Sequence, residues 1–149
     1  MKRFRFKLDP LIKVREHREK TAQLAFAEAK RETAAQEEEM ARMRAELEQR
    51  TAAFDAAVAR GLSAGQFRLY AEFLEGMELD LQEGELRHQE LLKAEEEKRQ
   101  ELGRKSVEKR ILESLKERKK DLYYKEMRQE EQKGADDMTV LRKARDINR

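Results

Sequence analysis

Apolar residues recur along this chain in steps of three and four, the spacing that lines one side of an α-helix. One seam position falls at Ile12, Glu19, Phe26, Thr33, Met40, Leu47 and Phe54, and its partner row at Leu8, Arg15, Ala22, Ala29, Gln36, Met43, Arg50 and Ala57. A second set begins at Phe67, Leu74, Leu81, His88, Glu95, Leu102 and Lys109, with Tyr70, Met77, Gly84, Leu91, Lys98, Lys105 and Leu112 as its partner row. Both follow the seven-residue repeat of a coiled coil. After Leu112 the apolar residues shift to Leu115 and Leu122, a three-residue step that would locally overwind such a pair.

Between the two sets the chain reads as a helix stop followed at once by a helix start. Gly61 can take the left-handed conformation that ends a helix, because it has no Cβ to clash. Ser63 and Gln66 form a capping box, in which each side chain covers an orphan backbone N–H of the other. Leu62 and Phe67 occupy the two positions of a hydrophobic staple. At the other end Asp9 reads as an N-cap and Pro10 as the first helical residue, where its missing N–H costs nothing. The expected fold is all-α: a two-helix antiparallel coiled-coil hairpin with a longer second helix. Its parts are a first helix over 9–60, a turn at 61–63, a second helix over 64–133 stopped by Gly134, and a polar tail over 134–149.

The two registers test each other. In an antiparallel pair, facing residue numbers share a constant sum, and a sum of 124 sets each row of the first helix against the opposite row of the second. It pairs Phe54 with Tyr70, Leu47 with Met77, Met43 with Leu81 and Ile12 with Leu112. Met40 then faces Gly84, Glu19 faces Lys105, and Gln36 faces His88 in a polar layer. Leu8 faces Lys116, so most of the second helix beyond Glu117 is left without a partner.

Composition supports one helical domain rather than a globule. Charged residues make up 44% and aromatics 6%, and the chain holds no proline after Pro10, so helix is favoured nearly throughout. The 38% of hydrophobic residues suffice for a seam but not for a broad core. High charge also marks disordered chains, and the sustained apolar period argues against that reading. The absence of cysteine excludes disulfides and thiolate metal sites. No apolar run approaches the roughly 20 residues that span a bilayer, and the basic start lacks a secretion signal's apolar core, so a cytosolic protein without a transmembrane segment is expected. The net charge of +2 conceals segregation: residues 1–20 carry 8 basic and 3 acidic side chains, 28–97 carry 9 and 18, and 98–128 carry 12 and 6. A basic open end and an acidic half near the turn suit docking to different partners.

Enzyme chemistry finds no footing, and no cofactor is expected. Glu85-x-x-His88 matches half of a carboxylate-bridged di-metal motif, but no second copy exists. There is no nucleophile elbow, and the six glycines form no phosphate-cradling loop. Tyr123 and Tyr124 beside Lys119, Lys120 and Lys125 could track a phosphate backbone, yet interleaved acidic residues speak against nucleic acid. Phe4 and Phe6 make a weak membrane anchor, and packing onto the second helix suits them better. Near the turn, Phe67, Leu69, Tyr70, Phe73, Leu74 and Met77 exceed what one seam can bury. Either the seam widens there, or Leu69, Phe73 or both lie off the seam and form an exposed docking patch.

Several stretches resemble the flagellar FliJ family. They are Phe4-Arg5-Phe6-Lys7-Leu8-Asp9-Pro10-Leu11-Ile12 with Arg15, Glu19 and the alanine-rich run to Ala29, then Tyr70-x-x-Phe73-Leu74. The closing part adds Glu108-Lys109-Arg110 to Leu115, Tyr124, and Glu131-Gln132-Lys133 to Asp136-Asp137. The family more often has a helix-compatible run where this chain has Gly134-Ala135-Asp136-Asp137. The resemblance implies a cytoplasmic component of the flagellar type III export apparatus, peripheral to the inner membrane at the flagellar base. It implies a stalk that inserts into and activates the hexameric export ATPase, links it to the membrane export gate, and escorts export chaperones. By likeness in position, Leu69, Tyr70, Phe73 and Met77 are candidates for the gate. Arg3, Arg5, Lys13, Lys109, Lys116, Lys119, Lys120 and Tyr123 are candidates for the ATPase ring. A monomeric hairpin is expected, and a generic coiled-coil adaptor without an ATPase role is the alternative.

Overall fold

A computed structural model describes residues 3–148. Two helices, α1 (Asp9–Arg60, 52 residues) and α2 (Ala64–Ile147, 84 residues), pack antiparallel, and no strand occurs among the described residues. Contacts divide the chain into two compact units: Met1–Glu19 with Arg104–Arg149, and Lys20–Gly103. Each helix therefore contributes to both.

In the Lys20–Gly103 unit the connection is a tight cap-to-cap turn. Gly61 adopts φ 99°, in the left-handed region that glycine enters without a Cβ penalty, and its N–H donates to the Val58 carbonyl at 3.1 Å. The Ser63 N–H donates to Gln66 Oε1 at 3.3 Å, and the Gln66 N–H donates to Ser63 Oγ at 3.2 Å. The Ser63 carbonyl accepts the first helical bond of α2 from Phe67 at 2.9 Å. This is the capping box expected from the sequence, with both orphan donors satisfied.

Beyond the turn, the Phe54 ring packs against Tyr70 and Phe67, with centroids 5.6 and 5.2 Å away. Met40 is 4% exposed and lies opposite Gly84, where an added Cβ would sit 3.6 Å from Met40 Cγ. Both pairings with Met40 and Phe54 follow the sum of 124. Thr33 is equally buried, and its hydroxyl donates to the Ala29 carbonyl at 3.0 Å, so its seam position leaves no polar group unsatisfied. The expected Gln36–His88 layer is arranged differently. Gln36 reaches the Gly84 carbonyl, while His88 meets Glu37.

In the other unit, Phe6 and Ile12 are buried, and the Phe4 ring lies 5.6 Å from Tyr123. Of the N-terminal aromatics, Phe4 thus packs onto α2. The Leu8 carbonyl accepts the first α1 bond from Ile12 at 3.0 Å, which makes Leu8 the cap residue and shifts Asp9 into the first turn. Asp9 keeps a favourable place there, since a carboxylate at a helix N-terminus faces the positive end of the helix dipole. Its side chain also takes the Lys116 ammonium at 2.7 Å. Leu122 is exposed, and Tyr123 and Met127 instead are half-buried, so the seam does not run through Leu122 as the spacing suggested.

The expected stop at Gly134 does not occur. The helix continues through Gly134 to Ile147. A glycine in a helix interior costs only about 1 kcal/mol relative to alanine, and the following Asp137-Met138-Thr139-Val140-Leu141 contains no proline to break the ladder.

Burial is sparse on both elements. Among the described residues the buried apolar ones are Phe6, Ile12, Ala22 and Met40, all from the N-terminal segment and α1, and α2 has none. A helix that meets a single partner can cover only one stripe, so each contact is half-wet and stability is the sum of many partial burials.

Candidate partner-binding surfaces

The side chains that stay outside these seams are the ones available to partners. In the Lys20–Gly103 unit, Leu69 is 69% and Phe73 52% exposed. They line a shallow groove with Arg50, Ala53, Tyr70 and Leu74. The Arg50 guanidinium lies 5.9 Å from the Phe73 ring centroid, a cation–π distance, so Arg50 has left its expected seam row to cover an aromatic face. Tyr70 is divided between the two roles, with its ring against Phe54 and much of its edge exposed. Met77 is half-buried in the seam row. Of the four residues singled out near the turn, Leu69 and Phe73 face outward most fully.

An ion pair and a histidine–carboxylate contact flank the same unit. Arg44 Nη2 lies 3.1 Å from Glu85 Oε1, and His88 Nε2 lies 3.0 Å from Glu37 Oε1. The Glu85-x-x-His88 pair is therefore engaged across the helix interface by an arginine and a glutamate. Exposed pairs of this kind contribute at most about 1 kcal/mol each, so they tune register more than stability.

In the unit formed by Met1–Glu19 and Arg104–Arg149, the eight sequence-selected residues fall into two groups. Lys109, Lys116 and Tyr123 are occupied within the chain. Lys109 Nζ donates to Glu19 Oε1 at 3.1 Å and lies 3.0 Å from Oε2. That hydrogen bond holds the Lys109 ammonium above the ordinary lysine value. It outweighs the cost of desolvation, with the charges of Glu19, Glu113 and Glu16 adding to it. Lys116 holds Asp9, and the Tyr123 ring sits between Phe4 and Tyr124. Arg15 pairs with Glu108, whose carboxylate also has Lys105 Nζ at 3.8 Å. Arg3, Arg5, Lys13, Lys119 and Lys120 are the exposed members of the set.

The comparison with known proteins bears directly on this pattern. A family model described as "Flagellar FliJ protein" matches residues 4–147. The chain belongs to the FliJ family. No curated protein and no solved structure matches it significantly. Membership makes this FliJ-family chain a component of flagellar protein export. The match runs across Gly134-Ala135-Asp136-Asp137 and ends at Ile147, the last residue of α2. Among the described residues, no helix of this FliJ-family chain is long and apolar enough to cross a membrane.

One surface lies outside the seam rows. Val107 and Ile111 are 55% and 62% exposed on the side of α2 that does not meet α1, beside Arg110, Ser114 and Arg118. The signal was present as a second row stepping by four and three, Gln100, Arg104, Val107, Ile111, Ser114 and Arg118.

Proposed function

We propose that this protein is the stalk of a flagellar export ATPase: it inserts into the hexameric ring, promotes its assembly and activity, and links it to the membrane export gate. Escort of export chaperones belongs to the same reading, as does a cytoplasmic monomer held peripherally at the inner membrane. The observation that carries it is the family match over nearly the whole chain on an antiparallel helix pair. The grooves beside Ile111 and Phe73 are shallow and open, which suits a protein that acts by docking.

The exposed basic residues support a ring contact through Arg3, Arg5, Lys13, Lys119 and Lys120. Lys109, Lys116 and Tyr123 support it indirectly, by keeping the two chain segments together. Near the turn, Leu69, Tyr70, Phe73 and Met77 supply apolar area for the gate. Exposed aromatic and aliphatic anchors carry a disproportionate share of binding energy once covered.

The deciding experiment adds the chain in substoichiometric amounts to the hexameric export ATPase and measures hydrolysis. Stimulation is expected, with a substantial loss in Lys119→Glu/Lys120→Glu at unchanged helicity. A wild-type chain that leaves hydrolysis unchanged would identify a coiled-coil adaptor with no ATPase role.

A further inference from the structure

The outer face of α2 in the Met1–Glu19/Arg104–Arg149 unit has the composition of a binding surface. Glu108, Lys109 and Lys116 point to α1, where they meet Arg15, Glu19 and Asp9. Val107 and Ile111 lie on the other side, one turn apart, and remain more than half exposed. Together with Arg110, Ser114, Leu115 and Arg118 they form a shallow groove. Isolated exposed aliphatics are ordinary, but two adjacent ones flanked by cations form a patch.

Charge decides what fits there. The groove's six lining residues include Arg110 and Arg118 and no carboxylate. Its charged members are arginines, whose planar guanidinium groups bind carboxylates bidentately. The groove between successive residues of one helix has the width that accepts a ridge from another helix.

We propose that this face docks an acidic amphipathic helix of a partner protein, with its apolar ridge on Val107 and Ile111 and its carboxylates on Arg110 and Arg118. The helix-in-groove mode uses anchors at i, i+3 or i+4 and i+7, and the two aliphatics supply adjacent contacts for such a row. The arginines select an acidic over a basic helix, because like charges across an interface are repelled. The surface differs from the basic set proposed for the ATPase ring and does not depend on that assignment.

The test uses the full chain and a fluorescent peptide of about 20 residues, long enough to form helix when docked, with leucines in an a/d row flanked by glutamates. A scrambled peptide and one with lysine in place of glutamate serve as controls. Saturable binding is expected for the acidic peptide alone, weakening as salt rises. It should fall at least tenfold in Val107→Ser/Ile111→Ser and, separately, in Arg110→Glu/Arg118→Glu. Both pairs are exposed, so helicity by circular dichroism should not change; if one pair unfolds the chain, the other reads the outcome. Equal binding of the scrambled peptide, or wild-type affinity in both variants, would overturn the proposal. So would finding that these variants instead abolish self-association in sedimentation, or binding to phosphatidylcholine–phosphatidylglycerol vesicles, while peptide binding persists.

Discussion

Gln36 of α1 donates its side-chain amide to the backbone carbonyl of Gly84 on α2, at 3.1 Å. A polar side chain in an apolar seam costs free energy unless it is paired, and here the partner is main chain rather than another side chain. The absence of a large side chain at Gly84 leaves room for the approach. A Cβ at that position would stand 3.4 Å from Gln36 Nε2 and 3.6 Å from Met40 Cγ. The contact fixes which residue of α2 lies against Gln36, a function that buried polar residues serve in other coiled coils.

Those distances are ordinary contact, so Gly84→Ala should be tolerated. It gains up to about 1 kcal/mol of helix propensity. Gly84→Leu should destabilise, since its larger side chain has no space beside Met40. Gln36→Ala should cost about 1 kcal/mol, and Gln36→Glu more, because it sets a carboxylate against the Gly84 carbonyl. Urea unfolding followed by circular dichroism would rank the four. A Gly84→Leu chain as stable as wild type would show that the close approach is not needed.

The Lys109–Glu19 pair predicts an alkaline loss of stability. The folded-state value of Lys109 is raised above the ordinary one by its hydrogen bond to Glu19. Folding therefore holds this proton more tightly than the unfolded chain does. The stabilisation is fully present below the ordinary lysine value and disappears as pH rises through the folded one. Melting temperatures between pH 8 and pH 11 should fall more steeply in wild type than in Lys109→Gln. Parallel profiles would show that the pair adds nothing.

Phe73 and Met77 should separate under substitution, although both are candidates for the export gate. Phe73 is more than half exposed, so Phe73→Ala should leave melting nearly unchanged while weakening gate binding roughly tenfold or more. Met77 is half-buried, and Met77→Ala should lower stability by about 1–2 kcal/mol. Titration calorimetry against the gate's cytoplasmic domain, with thermal unfolding in parallel, measures both. Unchanged affinity in Phe73→Ala would remove it from the docking surface.

Gly134 tests the continuity of α2. Its Cβ position is open, so Gly134→Ala should add helix stability of about 1 kcal/mol. Gly134→Pro should break the ladder and speed amide exchange over residues 135–147. Fast exchange there already in wild type, unaltered by proline, would mean that the helix ends before Gly134 in solution.

The sequence alone determined the features that depend on neighbours in the chain. The capping box of Ser63 and Gln66, the left-handed Gly61 and the seven-residue seam are local, so their residue types declare them. Register was also legible, because large residues had to meet small ones, as Met40 meets Gly84. The split between outward and engaged side chains was decided only when the helices packed. Lys109 and Lys119 are both lysines on one helix, yet the first is held by Glu19 and the second is exposed. Which of two such cations meets a carboxylate depends on rotamers and on a helical phase that drifts by about 20° per heptad, and no residue-by-residue pattern contains that. The end of α2 escaped for a related reason. A glycine permits a stop without imposing one, and the helix ran on where nothing else interrupted it.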